Sequence, residues 1–159
     1  YENSKIYQLF ALVGYLESED KVVADLVSYI SPLPSLQKSI DKFCYGERED
    51  FITEIKSNFT IICIPKILVL DCPEPVSLDR FKLKKHLKIS FMKTQYELQS
   101  VGLYIPGEHQ NIIPHYIAIV RKGNNLYKAN DSIVTKFNLV DAKNTTDEHP
   151  RCLIYVRRE

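Results

Sequence analysis

From Leu87 to Val156 the chain is dominated by short apolar runs rich in β-branched and aromatic residues, LKISF, YELQSVGLY, HYIAIVR, NLYKA and CLIYV, separated by polar or glycine-containing segments. Runs this short, punctuated this way, read as strands, and strands joined by tight turns pair antiparallel. Upstream the pattern is mixed. Ser35 is placed to cap a helix that carries Leu36, Ile40 and Phe43 at helical spacing. EREDFITEIKSN, after Gly46, predicts a second helix, with acidic residues in the first turn where the helix dipole favours them. FTIICIPKILVL predicts one buried strand, kinked or bulged at Pro65. IYQLFALVGYL and KVVADLVSYI fit either strand or helix. Mixed helix early and antiparallel sheet late predict an α+β fold. With no internal repeat and no linker, the whole of 1–159 is expected to form a single domain.

Charge and cysteine content narrow the function classes. The 21 Lys and Arg nearly cancel the 20 Asp and Glu, so bulk charge gives no reason to expect nucleic acid or an acidic membrane as partner. The basic stretch LDRFKLKKHLK (Leu78 to Lys88) reads as a solvated face. No apolar run is long enough to cross a bilayer. A first residue of tyrosine suggests a piece of a longer protein. Cys44, Cys63, Cys72 and Cys152 are scattered, with no CxxC pair and no zinc spacing, which points to reduced thiols in the cytosol or nucleus and to no metal or cofactor.

One hairpin carries a candidate site. HYIAIVR and LYKAN flank Lys122-Gly123-Asn124-Asn125, a glycine-containing turn. Taken as a four-residue loop, it sets Arg121 opposite Leu126 and Ile117 opposite Asn130. His115, Ile117 and Ile119 then share a face, and Asn130 joins it as the diagonal neighbour of His115. A basic imidazole needs a second group to fix its tautomer, and an amide or a carboxylate can serve. This register offers Asn130 and turns Asp131 to the opposite face or toward solvent; a slip of one residue would exchange them. An ordinary surface hairpin with polar ends is the competing reading.

The order of segments adds a resemblance. IPKILVL, KLKKHLKISF, YELQSVGLYIPGEHQNIIPHYIAIVR, NLYKANDSIV and CLIYVRR, preceded by SLQKSIDKFCYGE, resemble the second half of the ubiquitin-specific proteases, over about residues 25 to 159. The resemblance implies a papain-like cysteine protease fold, with this chain supplying the β-rich palm and the fingers. It implies that His115 is the catalytic histidine, Asn130 the third catalytic member and Asp131 an assisting acid. The implied substrate is ubiquitin, cleaved at the isopeptide bond after its C-terminal glycine.

Three departures from the family pattern shape the expectation. The Asn-x-x-x-x-Cys-aromatic box, whose helix N-terminus activates the nucleophile, does not occur in this sequence. Cys44-Tyr45 mimics it superficially but aligns with a later segment; Cys63 is expected as a core thiol, Cys72 in a proline-rich loop and Cys152 at the start of the closing strand. The zinc-binding CxxC pairs of the fingers are also missing, so the fingers are expected to be short and metal-free. Finally, Pro114 stands where the family has a glycine before His-Tyr, which removes a backbone donor and stiffens the approach to His115. The chain is thus expected to cleave ubiquitin conjugates when joined to a nucleophile-bearing chain or segment. The alternative is an inactive pseudo-protease that binds ubiquitin or serves as a protein-interaction scaffold.

Overall fold

The computed structural model describes residues 9–17, 20–25, 28–30, 35–45, 47–49, 56–107, 113–140 and 147–159. Two sheets dominate them. The larger, of eight strands, runs in the order β11 (Ile133–Phe137), β10 (Asn125–Asn130), β9 (His115–Lys122), β8 (Thr94–Ile105), β12 (His149–Arg157), β6 (Ile67–Asp71) and β3 (Ser28–Tyr29), with β7 (Lys88–Phe91) also paired to β8. Every pairing in it is antiparallel except β3 with β6. The smaller has the order β2 (Lys21–Asp25), β1 (Leu12–Leu16), β5 (Lys56–Cys63) and β4 (Glu47–Glu49).

Alternation along the strands explains which face of the large sheet is inside. Leu68 and Leu70 of β6, Val101 and Leu103 of β8, Ile117 and Ile119 of β9, and Leu153 and Tyr155 of β12 are buried. That face is covered by α1 (Leu36–Tyr45), whose Leu36, Ile40 and Cys44 form one buried ridge at i, i+4 and i+8, and by Leu78 and Phe81 of the short helix α2 (Leu78–Phe81) with Leu83 after it. Gln37 fixes α1 to the sheet. Its amide donates to Ser90 O (2.7 Å) and accepts from Ser90 N (3.0 Å), so a side chain takes the place of a neighbouring strand beside β7.

The structure departs from the sequence expectations in the middle of the chain. FTIICIPKILVL is two strands in two sheets, not one kinked strand: β5 ends at Cys63, β6 begins at Ile67, and Pro65 lies in the link where a missing N–H costs no ladder bond. Cys63 is accordingly exposed rather than a core thiol. The expected second helix is not found where it can be followed. Glu47–Glu49 and Lys56–Asn58 are paired antiparallel strands, and 50–55 lie outside the described residues, as does the SPLPS breaker over 31–34. Helix spacing and an acidic first turn were local signals; pairing between β4 and β5 overrode them. Of the two apolar runs near the N-terminus that fit either strand or helix, the first is helical at Leu9-Phe10 and then strand β1, and the second holds strands β2 and β3. Strand β11 had no counterpart in the sequence reading because four of its five residues are exposed, so it lacks an alternating apolar signal.

In the smaller sheet the ring of Phe59 lies directly over Gly14; a Cβ added at Gly14 would sit 2.0 Å from the ring's far carbon. Phe59 itself is buried. Gly14→Ala is therefore expected to destabilise the chain by about 1–3 kcal/mol, through displacement of a packed ring. A chemical denaturation midpoint unchanged from wild type would show that the ring can move at no cost.

Candidate active site

β9 and β10 form a hairpin with Asn125 opposite Lys122, Leu126 opposite Arg121 and Ala129 opposite Ala118. The loop is thus two residues, Gly123-Asn124, rather than four, with Gly123 in the left-handed region (φ 60°) that such tight turns use. The register is unaffected, because the shorter loop only adds one pair at the turn. Continued past Ala129, it sets Asn130 opposite Ile117, on the inward face with His115.

His115 Nε2 lies 2.6 Å from Asn130 Oδ1. The amide oxygen can only accept, so Nε2 carries the hydrogen and Nδ1 holds the lone pair of the neutral ring. Nδ1 makes no hydrogen bond to a described residue. The expected geometry of the pair is present, with one nitrogen committed to Asn130 and the other available to a proton donor.

Asp131 lies toward solvent rather than on the opposite face. It ends the strand in a left-handed conformation (φ 50°), which breaks the alternation that would have carried its side chain to the far face. Its Oδ2 comes to 3.8 Å from His115 Nε2, while its side chain remains 80% exposed. Asn130 holds the imidazole and Asp131 stands beside it as a solvated charge.

No cysteine completes the pair. In the ladder Cys152 faces Gly102 of β8, which faces Ala118 of β9, so Cys152 is two strands across and three residues along from His115. Strand spacing puts their Cα atoms roughly 14 Å apart. Cys152 also lies inside β12 rather than at its start. Cys72 follows β6, one strand farther away, where burial and Asp71 push its thiol up to about 12. Cys44 is buried in the last turn of α1, the end whose dipole disfavours a thiolate. Cys63 is on the other sheet.

A half-buried ion pair lies at this end of the sheet. Lys128 donates its ammonium to Glu148 Oε1; their side chains are 26% and 13% exposed. Lys128 shares the inward face with Asn130 two residues on, and Glu148 directly precedes β12 and accepts Leu78 N through its carbonyl at 2.7 Å. Sequence reasoning did not single out either residue. The only available signal was a lysine at an inward position of a half-buried strand.

No protein-family model matches this chain, and neither does any curated protein. Its fold does have solved counterparts. The yeast SAGA DUB module with a mutant Sgf73 superposes with a TM-score of 0.65 at 18% identity, over 97% of this chain and 40% of that one. The SAGA Ubp8/Sgf11/Sus1/Sgf73 DUB module gives 0.61 at 21%, over 99% and 41%. The Saccharomyces cerevisiae PAN2 pseudoubiquitin-hydrolase gives 0.66 at 14%, over 96% and 58%. The chain has the α+β, papain-like fold of ubiquitin-specific-protease-type domains. It spans about two fifths of the SAGA chains and under three fifths of the PAN2 chain.

Proposed function

We propose that this chain is the β-rich part of a ubiquitin-specific-protease-like catalytic domain, with the eight-stranded sheet as palm and the four-stranded sheet as short, zinc-free fingers. Joined to a segment or chain that carries a nucleophilic cysteine, it cleaves isopeptide bonds after the C-terminal glycine of ubiquitin. His115 Nδ1 takes the thiol proton, and the resulting imidazolium–thiolate pair attacks the carbonyl. The histidine then returns the proton to the leaving amine. Asn130 fixes the ring, and Asp131 adds a weak, screened field that favours the imidazolium. The observation that carries this reading is the 2.6 Å contact from His115 Nε2 to Asn130 Oδ1, which leaves Nδ1 as the basic nitrogen.

A second reading is a pseudo-protease that keeps the palm as a binding scaffold. Pro114, exposed immediately before His115, favours it, since proline withdraws an N–H from the approach to the histidine. One similar structure is itself called a pseudoubiquitin-hydrolase, and a related Pan2 module was solved with RNA. The SAGA modules contain further subunits. In either reading this chain works within a larger assembly.

Ubiquitin bearing an electrophilic C-terminus separates the two. The isolated 159-residue chain is expected to take no label on Cys44, Cys63, Cys72 or Cys152, and the full parent to be labelled at a cysteine outside this chain. A parent that binds ubiquitin but takes no label supports the scaffold. Label on one of the four cysteines would remove the two-part reading.

A further inference from the structure

The end of the large sheet opposite His115 gathers cations. Strand β8 is long enough to pair with two strands in succession: residues 94–97 with β7, then residues 100–105 with β9. The end of β9 is therefore brought to the start of β7, where Arg121 reaches Glu97, the cross-strand partner of Lys88. Arg121 Nη1 lies 2.7 Å from Glu97 Oε1 and Arg158 Nη2 3.1 Å from the same oxygen, while Lys88 is the direct cross-strand partner of Glu97. One carboxylate thus serves two arginines, and Lys88 beside it is left without an ion pair among the described residues. The 3-10 turn Leu83–His86 leads into this corner, tied there by Leu98 N to Leu87 O at 2.9 Å, and it brings Lys82, Lys84 and Lys85. Those three lysines, Lys88, Lys122 and Arg158 are all exposed, and the side chains of Lys82, Lys84, Lys85, Lys88 and Lys122 make no hydrogen bond or ion pair with a described residue.

The segment is amphipathic in a way that fixes the cations outward. Phe81 and Leu83 are buried, and Phe81 stacks on His86 at 4.7 Å between ring centres. A mere solvated face would be expected to mix both signs of charge, whereas between Lys82 and Lys88 every exposed side chain is a lysine; the carboxylates nearby are Glu97, held by Arg121 and Arg158, and the exposed Glu159. From Glu97 to Ile105, the partner of His115, is eight residues of strand, so the corner lies roughly 25 Å from the candidate active site.

We infer that this corner, formed by Lys82, Lys84, Lys85, Lys88, Lys122, Arg121 and Arg158, binds the phosphate backbone of nucleic acid without reading its sequence. Lysine dominates it, and the turn and β7 expose no aromatic side chain. Specific protein interfaces favour aromatic and arginine anchors and are depleted in lysine, whereas lysine suits phosphate as a point charge. The lack of an aromatic platform means that bases are not stacked, so RNA and DNA strands should bind alike.

The test is fluorescence anisotropy of the full 159-residue chain with labelled single-stranded RNA and DNA of about 12 nucleotides, titrated between about 50 and 200 mM salt. Binding is expected to weaken with salt, with a log–log slope of about −2 to −4. The triple variant Lys84→Gln, Lys85→Gln, Lys88→Gln should bind more than about tenfold more weakly and lose about 2 from that slope. Lys21→Gln, an exposed cation on the four-stranded sheet, should change neither. Absence of binding at low salt, an unaffected triple variant, or an equal loss in Lys21→Gln would overturn the inference. So would a glutamate-rich peptide that binds as tightly as the oligonucleotides and is lost in the same variant, which would make the corner an acidic-protein surface.

Discussion

On the proposed protease reading, His115→Ala in a parent protein that carries the nucleophile is expected to lower deubiquitinating turnover by about 1,000-fold or more while ubiquitin affinity changes little. General acid–base catalysis by one positioned group is worth about 10²–10⁴, and a base that acts as a unit with its nucleophile lies at the upper end. The graded effects of its neighbours make the prediction specific. Asn130 contacts Nε2 directly at 2.6 Å, so Asn130→Ala releases the ring and should cost about 10- to 100-fold. Asp131 is 3.8 Å away and largely in water, so Asp131→Ala should stay within about threefold, shrinking further at high salt. Single-turnover assays with a ubiquitin conjugate read all three. Unchanged turnover in His115→Ala would make the histidine structural, and an Asp131 effect larger than that of Asn130 would reverse the roles assigned to them.

The candidate pair was legible in the sequence because it rests on a local rule. Once Arg121 faces Leu126, alternation alone decides that Asn130 joins His115, and shortening the loop to Gly123-Asn124 preserves that count. Alternation could not choose between the far face and solvent for Asp131, because it ends with the strand; a left-handed residue in the turn to β11 obeys turn geometry instead. The error at Pro65 has a different origin. An apolar run interrupted by proline looks the same whether it bends within one sheet or passes between two, and only long-range pairing distinguishes the cases. The same holds for Glu47–Glu49, whose strand character comes from β5 rather than from its own residues. The basic corner depends on β8 pairing β7 and β9 end to end, which no local pattern around Lys88 or Arg121 announces.

Lys128→Met should lower stability by about 2–4 kcal/mol, because it leaves the half-buried Glu148 carboxylate without its counter-charge. Glu148 has little reserve, since its second oxygen is already buried with no partner among the described residues. For a chain of this size, that loss corresponds to a fall of roughly 5–15 °C in the thermal midpoint. The double variant Lys128→Met, Glu148→Leu removes both charges and should return to within about 1 kcal/mol of wild type, since a buried ion pair is commonly no better than apolar packing. The pair ties β10 to the junction of α2 and β12 across the intervening strands, and Lys128 precedes Asn130 by two residues on the same face. Lys128→Met should therefore loosen the His115–Asn130 contact, read as altered exchange of the Nε2 proton by nuclear magnetic resonance, whereas the double variant should restore it. A single variant within about 0.5 kcal/mol of wild type would place the pair among ordinary surface bridges, which contribute little. A double variant as unstable as the single would mean that the carboxylate itself, rather than its pairing, holds this corner of the sheet.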